Sequence, residues 1–236
     1  MTHVKEYLSS INWTTASTEL NEQGYALLKN ILPVADCDEL IKNYDNASLY
    51  RKTINMERYR FGQGEYKYFD YPLPPLIQQI RENVYPHLAT VANGWMNMLN
   101  SATRFPTELT ELHKLCKANN QTKPTVLILK YSDGGHNTLH QDLYGDIYFP
   151  MQLVLFLSEP GKDYTGGEFV LLQQTPRAQS KAIVLQPHKG DMLLFTTNYR
   201  PVKGSKGYYR VNMKHGVSEV REGKRYTLGI IFHDAA

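Results

Sequence analysis

Residues 125–158 read TVLILKYSDGGHNTLHQDLYGDIYFPMQLVLFLS. Two apolar runs of strand length, TVLILKY and MQLVLFLS, flank a polar interval rich in Gly, Asp and His. Short runs of this kind bounded by turn residues are the mark of buried strands. The pattern continues to the end of the chain in GEFVLLQQ, KAIVLQ, DMLLFTT, YYRVNMKHGVSEV and RYTLGIIFH, separated by EPGKDYTGG, QTPRAQS and PHKGD. About eight strands at this spacing fit a double-stranded β-helix, the jelly-roll barrel of cupins.

Upstream, the period changes. Pro33 followed by VADCDELIKNYDN starts a helix with Val34, Cys37, Leu40, Ile41 and Tyr44 at three- and four-residue steps. Residues 74–100 place Ile77, Ile80, Val84, Leu88, Val91, Trp95 and Leu99 on one face, with a kink expected at Pro86. A third helix is expected over Glu108–Lys117. No Ser/Gly linker divides the halves, so the chain reads as one α+β domain over 1–236: a mainly helical part, 1–120, packed on one sheet of a jelly-roll core, 121–236.

At 236 residues the chain is long enough to bury a sizeable core unaided. Cys37 and Cys116 match no metal or redox spacing and read as free thiols. The first residues lack an apolar leader and no run approaches a membrane span, which points to a cytoplasmic protein with no membrane partner. A net charge of +3 falls short of an obligate nucleic-acid binder, but the basic residues cluster. One cluster, 51–69, interleaves Arg51, Lys52, Arg58, Arg60 and Lys67 with Tyr59, Phe61, Tyr66, Tyr68 and Phe69; the other, 199–215, holds Arg200, Lys203, Lys206, Arg210 and Lys214. Such mixtures suit a phosphate backbone with stacked bases, and equally a solvated loop whose tyrosines pack on the body.

His140 and Asp142 follow the first β run, and two-residue spacing on a strand sends both side chains the same way. His215, in VNMKHGVSEV, is the candidate third ligand. Two imidazoles and one carboxylate on one face of an octahedral ion leave three positions open, the arrangement of non-haem Fe(II) oxygenases rather than of a closed zinc site. His136 and His140 are four apart, but Gly134, Gly135 and β-rich flanks argue against the helix that a zinc pair would need. His87 and His113 read as partly exposed helix residues, His188 as a surface residue and His233 as a strand-end residue. Arg225, ten residues after His215, can project inward and grip a carboxylate with its fork, and Thr227 faces the same way. Tyr131 offers a further hydroxyl.

The ordered set Tyr131-x2-Gly134, His140-x-Asp142, Gly166-Gly167-Glu168, Gly190-Asp191, His215 and Arg225-x-Thr227 resembles the Fe(II)/2-oxoglutarate-dependent dioxygenases, particularly their prolyl-hydroxylase-like and AlkB-like branches, over residues 120–236. The ending HGVSEVREGKRYTLGIIFHDA also resembles a bacterial oxygenase group described as acting on damaged DNA. AlkB-like enzymes carry a second arginine six residues after the first, where this chain has Ile231, and the ten-residue step from His215 to Arg225 is the prolyl-hydroxylase-like one. The resemblance implies Fe(II) on His140, Asp142 and His215, 2-oxoglutarate held by Arg225, Thr227 and Tyr131, and O2 as co-reactant. The substrate would be hydroxylated with release of succinate and carbon dioxide; an N-methyl group so hydroxylated leaves as formaldehyde.

Substrate selection is expected at Tyr144 and Asp146, directly after the metal pair, and at Arg58, Arg60, Tyr66 and Tyr68, with Gly62 and Gly64 letting that stretch move as a flap. The 199–210 segment reads as a loop beside the same mouth. Three functions fit: oxidative demethylation of single-stranded or damaged nucleic acid, hydroxylation of a peptide or small molecule, and non-catalytic binding of a metal and a small acid.

Overall fold

The run MQLVLFLS forms a strand buried on both faces, and its alternation separates two environments. Met151, Leu153 and Leu155 join a cluster with the helices, whereas Val154 and Phe156 join a second cluster with Phe169, Leu171, Phe195 and Met213 from other strands. One face is therefore covered by helices and the other by a second sheet. The structure is a computed structural model describing residues 3–236.

In chain order the elements are α1 (His3–Ser9), α2 (Trp13–Gln23), β1 (Tyr25–Leu28), α3 (Val34–Lys42), β2 (Tyr50–Asn55), β3 (Gly62–Gln63), β4 (Glu65–Phe69), α4 (Pro75–Met98) and α5 (Leu109–Ala118). There follow β5 (Leu127–Tyr131), β6 (His136–His140), β7 (Met151–Phe156), β8 (Tyr164–Gly166), β9 (Phe169–Gln174), β10 (Lys181–Leu185) and β11 (Met192–Thr196). The chain closes with β12 (Tyr199–Gly204), β13 (Gly207–Val217), β14 (Val220–Gly223) and β15 (Arg225–Ile231). A seven-stranded antiparallel sheet runs β1-β11-β7-β15-β5-β4-β2, a six-stranded one runs β10-β9-β13-β6-β3 with β12 on β13, and β8 pairs β14.

Helix α4 supplies Ile77, Ile80, Val84, Tyr85, Leu88 and Trp95 to the layer over the larger sheet, all of them buried. Burying each such side chain contributes about 1.5–3 kcal/mol. Helix α4 runs through Pro86 as one helix, with Tyr85, Leu88 and Ala89 fully buried beside it. Fully buried Arg81 on α4 donates to the Phe232 carbonyl (2.9 Å), to Asp234 Oδ1 (2.9 Å) and to Tyr71 Oη (2.8 Å). This clamp fixes the end of β15 and hence the wall of the site described below.

Sequence reading missed β1, β2, β3 and β4, all inside the nominally helical first 120 residues. The stretch around Gly62 and Gly64 is not a free flap. β2 and β4 extend the larger sheet through β5, while β3 pairs with β6 in the other, Gly62 opposite Asn137. A Cβ on Gly62 would lie 2.2 Å from the His136 carbonyl oxygen, so glycine there permits close strand approach rather than hinge motion. The 199–210 segment is likewise a hairpin, β12 paired with β13 around Ser205 and Lys206. His233 lies in a bend two residues past the end of β15 and is fully buried, accepting the Phe149 N–H on Nδ1 at 3.1 Å. Cys37 and Cys116 are buried free thiols. No described helix is long and apolar enough to cross a membrane.

Candidate functional site

β6 and β13 are neighbours in the six-stranded sheet, and their register sets His140 directly opposite His215. Asp142 lies two residues past the end of β6, close enough for its carboxylate to meet both imidazoles. His215 Nε2 is 3.2 Å from Asp142 Oδ2, and His140 Nε2 is 3.6 Å from Oδ1. One ligand atom from each of the three lies within 4.8 Å of the others, a spacing that one cation can bridge. His136, the other member of the zinc alternative, starts β6 as a strand residue, with Nδ1 3.1 Å from the Gly134 carbonyl.

Neighbouring groups orient His140 and Asp142, whereas His215 Nδ1 has no hydrogen-bond partner among the described residues. His140 Nδ1 sits 2.7 Å from the Thr138 carbonyl, which requires a proton on Nδ1 and turns the Nε2 lone pair toward the centre. Tyr144 Oη donates to Asp142 Oδ1 at 2.8 Å and lies 3.3 Å from Tyr68 Oη, leaving Oδ2 free to ligate. Burial alone would raise the Asp142 carboxyl, but the charge and hydrogen bond of His215, reinforced by His140 and Tyr144, hold it well below the usual carboxylate range. Burial, followed by the neighbouring His215, lowers His140 from 6.5. A neutral imidazole beside an ionised carboxylate is the donor set that a divalent cation takes.

The larger sheet faces this group. Arg225 starts β15 opposite Tyr131 of β5, 1% exposed, with its guanidinium 5.6 Å from the ring centroids of Tyr131 and Phe156 and 5.9 Å from that of Tyr164. Nε and Nη1 have no hydrogen-bond partner, and among the described residues no carboxylate lies within 4 Å of the group. An unpaired buried cation is costly unless something else enters to match it. Thr227, two residues on, presents its hydroxyl on the same face, and burial pushes the Tyr131 hydroxyl up to about 12, so it stays a protonated donor.

A cavity of about 230 Å³ joins the two walls, lined by His140, Asp142 and His215 on one side and Tyr131, Arg225 and Thr227 on the other. Tyr66 and Tyr144 also line it, and Tyr68 stands behind Tyr144. Arg58, Arg60 and Asp146 are exposed and outside the lining. Arg58 lies in a 3-10 turn whose buried member is Met56, and Arg60 follows that turn with a φ of 58°, which directs the pair to the surface. Arg51 and Lys67 are bound within the fold, the first donating to the Pro124 carbonyl (2.8 Å) and the second lying 4.1 Å from the Tyr44 ring centroid. Sequence reading missed Gln152, Asn137, Phe169 and Phe195 in the lining. The Gly190-Asp191 pair is a fold device: Asp191 accepts the backbone N–H groups of Asn30 and His188, and a Cβ on Gly190 would lie 2.4 Å from the Leu32 carbonyl oxygen.

The chain is similar to solved structures of 2-oxoglutarate/iron oxygenases. A Pseudomonas putida prolyl-4-hydroxylase superposes with a TM-score of 0.57 at 13% identity, covering 95% of this chain and all of that one. A Trichoplax adhaerens prolyl hydroxylase, in complex with a hypoxia-inducible-factor peptide fragment, gives 0.54 at 14% identity over 98% of this chain and 91% of that one. These likenesses concern the fold. A Mycobacterium tuberculosis protein of uncharacterised function is 44% identical over 168 residues, 71% of this chain and 72% of its own. Because residues 64–235 match its pattern throughout, the chain belongs to the oxygenase family described as catalysing oxidative methylation of damaged DNA.

Proposed function

We propose that the whole chain, 1–236, works as one Fe(II)- and 2-oxoglutarate-dependent dioxygenase built on a jelly-roll barrel, and that it hydroxylates its substrate with release of succinate and carbon dioxide. The observation that carries this reading is Arg225: a buried guanidinium with unpartnered Nε and Nη1, in the same cavity as a His-Asp-His trio. A dicarboxylic cosubstrate supplies what both ends lack, a carboxylate for the arginine and further oxygen ligands for a cation. Metal-ion binding is supported by the donor set itself, with one ligand atom from each of two imidazoles and a carboxylate drawn together and the Nε2 lone pair of His140 left free by the bond of its Nδ1–H to Thr138.

His140, Asp142 and His215 would hold Fe(II), which with 2-oxoglutarate and O2 supplies the oxidising power. The chain contributes orientation. Tyr144 fixes the Asp142 carboxylate by donating to Oδ1, and Thr138 fixes the His140 tautomer. Arg225 anchors the remote carboxylate, with Thr227 and Tyr131 as hydroxyl donors on the same wall. Phe169 and Phe195 pack on the His215 ring at centroid distances of 5.9 and 4.9 Å and keep that side dry.

For the substrate, we favour single-stranded or damaged nucleic acid. The family description supports it, as do Arg58, Arg60, Lys203 and Lys206, for which no carboxylate lies within 4 Å among the described residues, and the exposed Tyr59–Phe61 stack, whose Phe61 lines the cavity lip. Peptide or small-molecule hydroxylation is the second reading, favoured by Ile231 at the position of the second AlkB-type arginine and by the prolyl-hydroxylase fold likeness. The test is to load the protein anaerobically with Fe(II) and 2-oxoglutarate, admit oxygen, and measure succinate against a panel of methylated oligonucleotides and proline peptides. Metal-dependent succinate stimulated by an oligonucleotide supports the first reading, and stimulation by a peptide alone supports the second. No succinate at all would leave a metal- and acid-binding protein without turnover.

A further inference from the structure

Gln152 is not among the residues assigned above to the metal or to 2-oxoglutarate, yet it shares the signature of Arg225. Its side chain is 3% exposed in the cavity lining, and its Nε2 finds no hydrogen-bond partner. Buried amides in native proteins are almost always paired, so this one is matched by something that enters the cavity.

The ladder fixes where it sits. Gln152 pairs with Phe195 on β11 and with Ile231 on β15, so all three face the inter-sheet space at one level. The Phe195 ring lies 4.9 Å from that of His215, and Ile231 packs in a cluster with Tyr68 and Tyr144, the latter bonded to Asp142. Gln152 therefore stands between two residues that touch opposite flanks of the His-Asp-His trio, on the sheet that faces it. Its partner Ile231 is six ladder positions from Arg225, about 20 Å of strand, whereas Thr227 is only two positions from Arg225. The remote carboxylate of the cosubstrate belongs to the Arg225 end, and Gln152 stands toward the metal end of the cavity.

We propose that Gln152 is the residue that reads the substrate, its carboxamide pairing with the edge of a nucleobase extruded into the cavity and held against the metal centre. This rests on the nucleic-acid reading above. A carboxamide offers a donor and an acceptor side by side, the pattern that an adenine edge answers with two hydrogen bonds. The surrounding walls are flat rings, Phe169, Phe195, Tyr66 and Tyr144, with Phe61 at the lip, which suits a planar base drawn out of a strand.

The test uses Gln152→Met, close in volume without polar atoms, and Gln152→Glu, which keeps only acceptors. The full chain, loaded with Mn(II) and 2-oxoglutarate under nitrogen, is titrated with a labelled single-stranded oligonucleotide carrying one N-methylated adenine, and with the same strand abasic at that position. The parent should prefer the base-containing strand. Gln152→Met should lose that preference, by about tenfold, while binding the abasic strand as the parent does. The thermal midpoint of ligand-free Gln152→Met should equal or exceed the parent's, because an unpaired buried amide is gone, and Gln152→Glu should also lose the preference. Retained preference in both variants would overturn the proposal. So would a Gln152→Met midpoint lower by several degrees, which makes the amide structural, or an equal loss of 2-oxoglutarate affinity, which assigns it to the cosubstrate. Absence of oligonucleotide binding by the parent would instead sink the nucleic-acid reading itself, and peptide binding weakened by Gln152→Met would replace the nucleobase with a peptide amide.

Discussion

Replacing Arg225 separates the two ends of the cavity. The guanidinium is 1% exposed, ringed by Tyr131, Phe156 and Tyr164, and two of its three nitrogens have no hydrogen-bond partner. Arg225→Ala removes the bidentate partner of the cosubstrate's remote carboxylate, a loss of about 2–5 kcal/mol in a desolvated pocket. That is about thirty-fold to several-thousand-fold in 2-oxoglutarate affinity. Fe(II) affinity should stay close to the parent's, because none of His140, Asp142 and His215 touches Arg225 through a hydrogen bond or ion pair. Calorimetric titration of 2-oxoglutarate into the Mn(II)-loaded protein, beside a metal titration of each variant, reads both quantities. A second variant, Arg225→Met, fills similar space without charge. Free of ligand it should be as stable as the parent or more stable by about 1–4 kcal/mol, since an unpaired buried charge has been replaced by apolar atoms. Unchanged 2-oxoglutarate affinity in Arg225→Ala, together with a clear loss of stability in Arg225→Met, would make the arginine a fold residue instead of a carboxylate anchor.

Tyr144→Phe removes the hydroxyl donated to Asp142 Oδ1 and should lower metal affinity by about 10–100-fold with the circular dichroism spectrum unchanged, and an unaltered metal titration would contradict that role. Stability should depend on pH through His233, which burial lowers from 6.5 to about 4 and whose Nδ1 accepts the Phe149 N–H. The unfolded chain takes up this proton first, so the contribution is complete above pH 6.5 and disappears as pH falls toward 4. The gap between 6.5 and about 4 corresponds to about 3 kcal/mol. In denaturant melts the parent should lose about 3 kcal/mol more stability than His233→Asn between pH 7 and pH 4, and equal losses would sink the assignment. If the unpaired surface cations contact phosphates, oligonucleotide affinity should fall steeply with salt, and Arg58→Ala/Arg60→Ala should flatten that dependence by about two ion equivalents; salt-insensitive binding that the substitutions leave untouched would favour the peptide reading.

The trio and Arg225 were legible because each carries a chemical signal on a strand whose alternation is plain: His140-x-Asp142 after TVLILKY, and Arg225-x-Thr227 in RYTLGIIFH. The register of β6 on β13, which sets His140 against His215, is a non-local fact that no local pattern reports. Gln152 was missed for a related reason. In MQLVLFLS both faces are buried, so alternation shows no polar side, and only the pairing of Gln152 with Phe195 and Ile231 reveals which residues look into the cavity. Strands β2 and β4 were hidden by composition: YRKTIN and EYKYF do alternate, but the density of basic residues reads as loop. Arg58 and Arg60 drew attention as charges beside aromatics, and the 3-10 turn around buried Met56 carries them away from the cavity.

One cavity should hold a cation on His140, Asp142 and His215 and a dicarboxylate on Arg225. An anaerobic crystal structure of the protein soaked with Fe(II) and 2-oxoglutarate, with anomalous data at the iron edge, tests it directly. A single anomalous peak is expected about 2.0–2.2 Å from His140 Nε2, an Asp142 carboxylate oxygen and His215 Nε2, with the far carboxylate of 2-oxoglutarate on the Arg225 fork. Iron bound elsewhere, or 2-oxoglutarate density that leaves Arg225 unpaired, would contradict it.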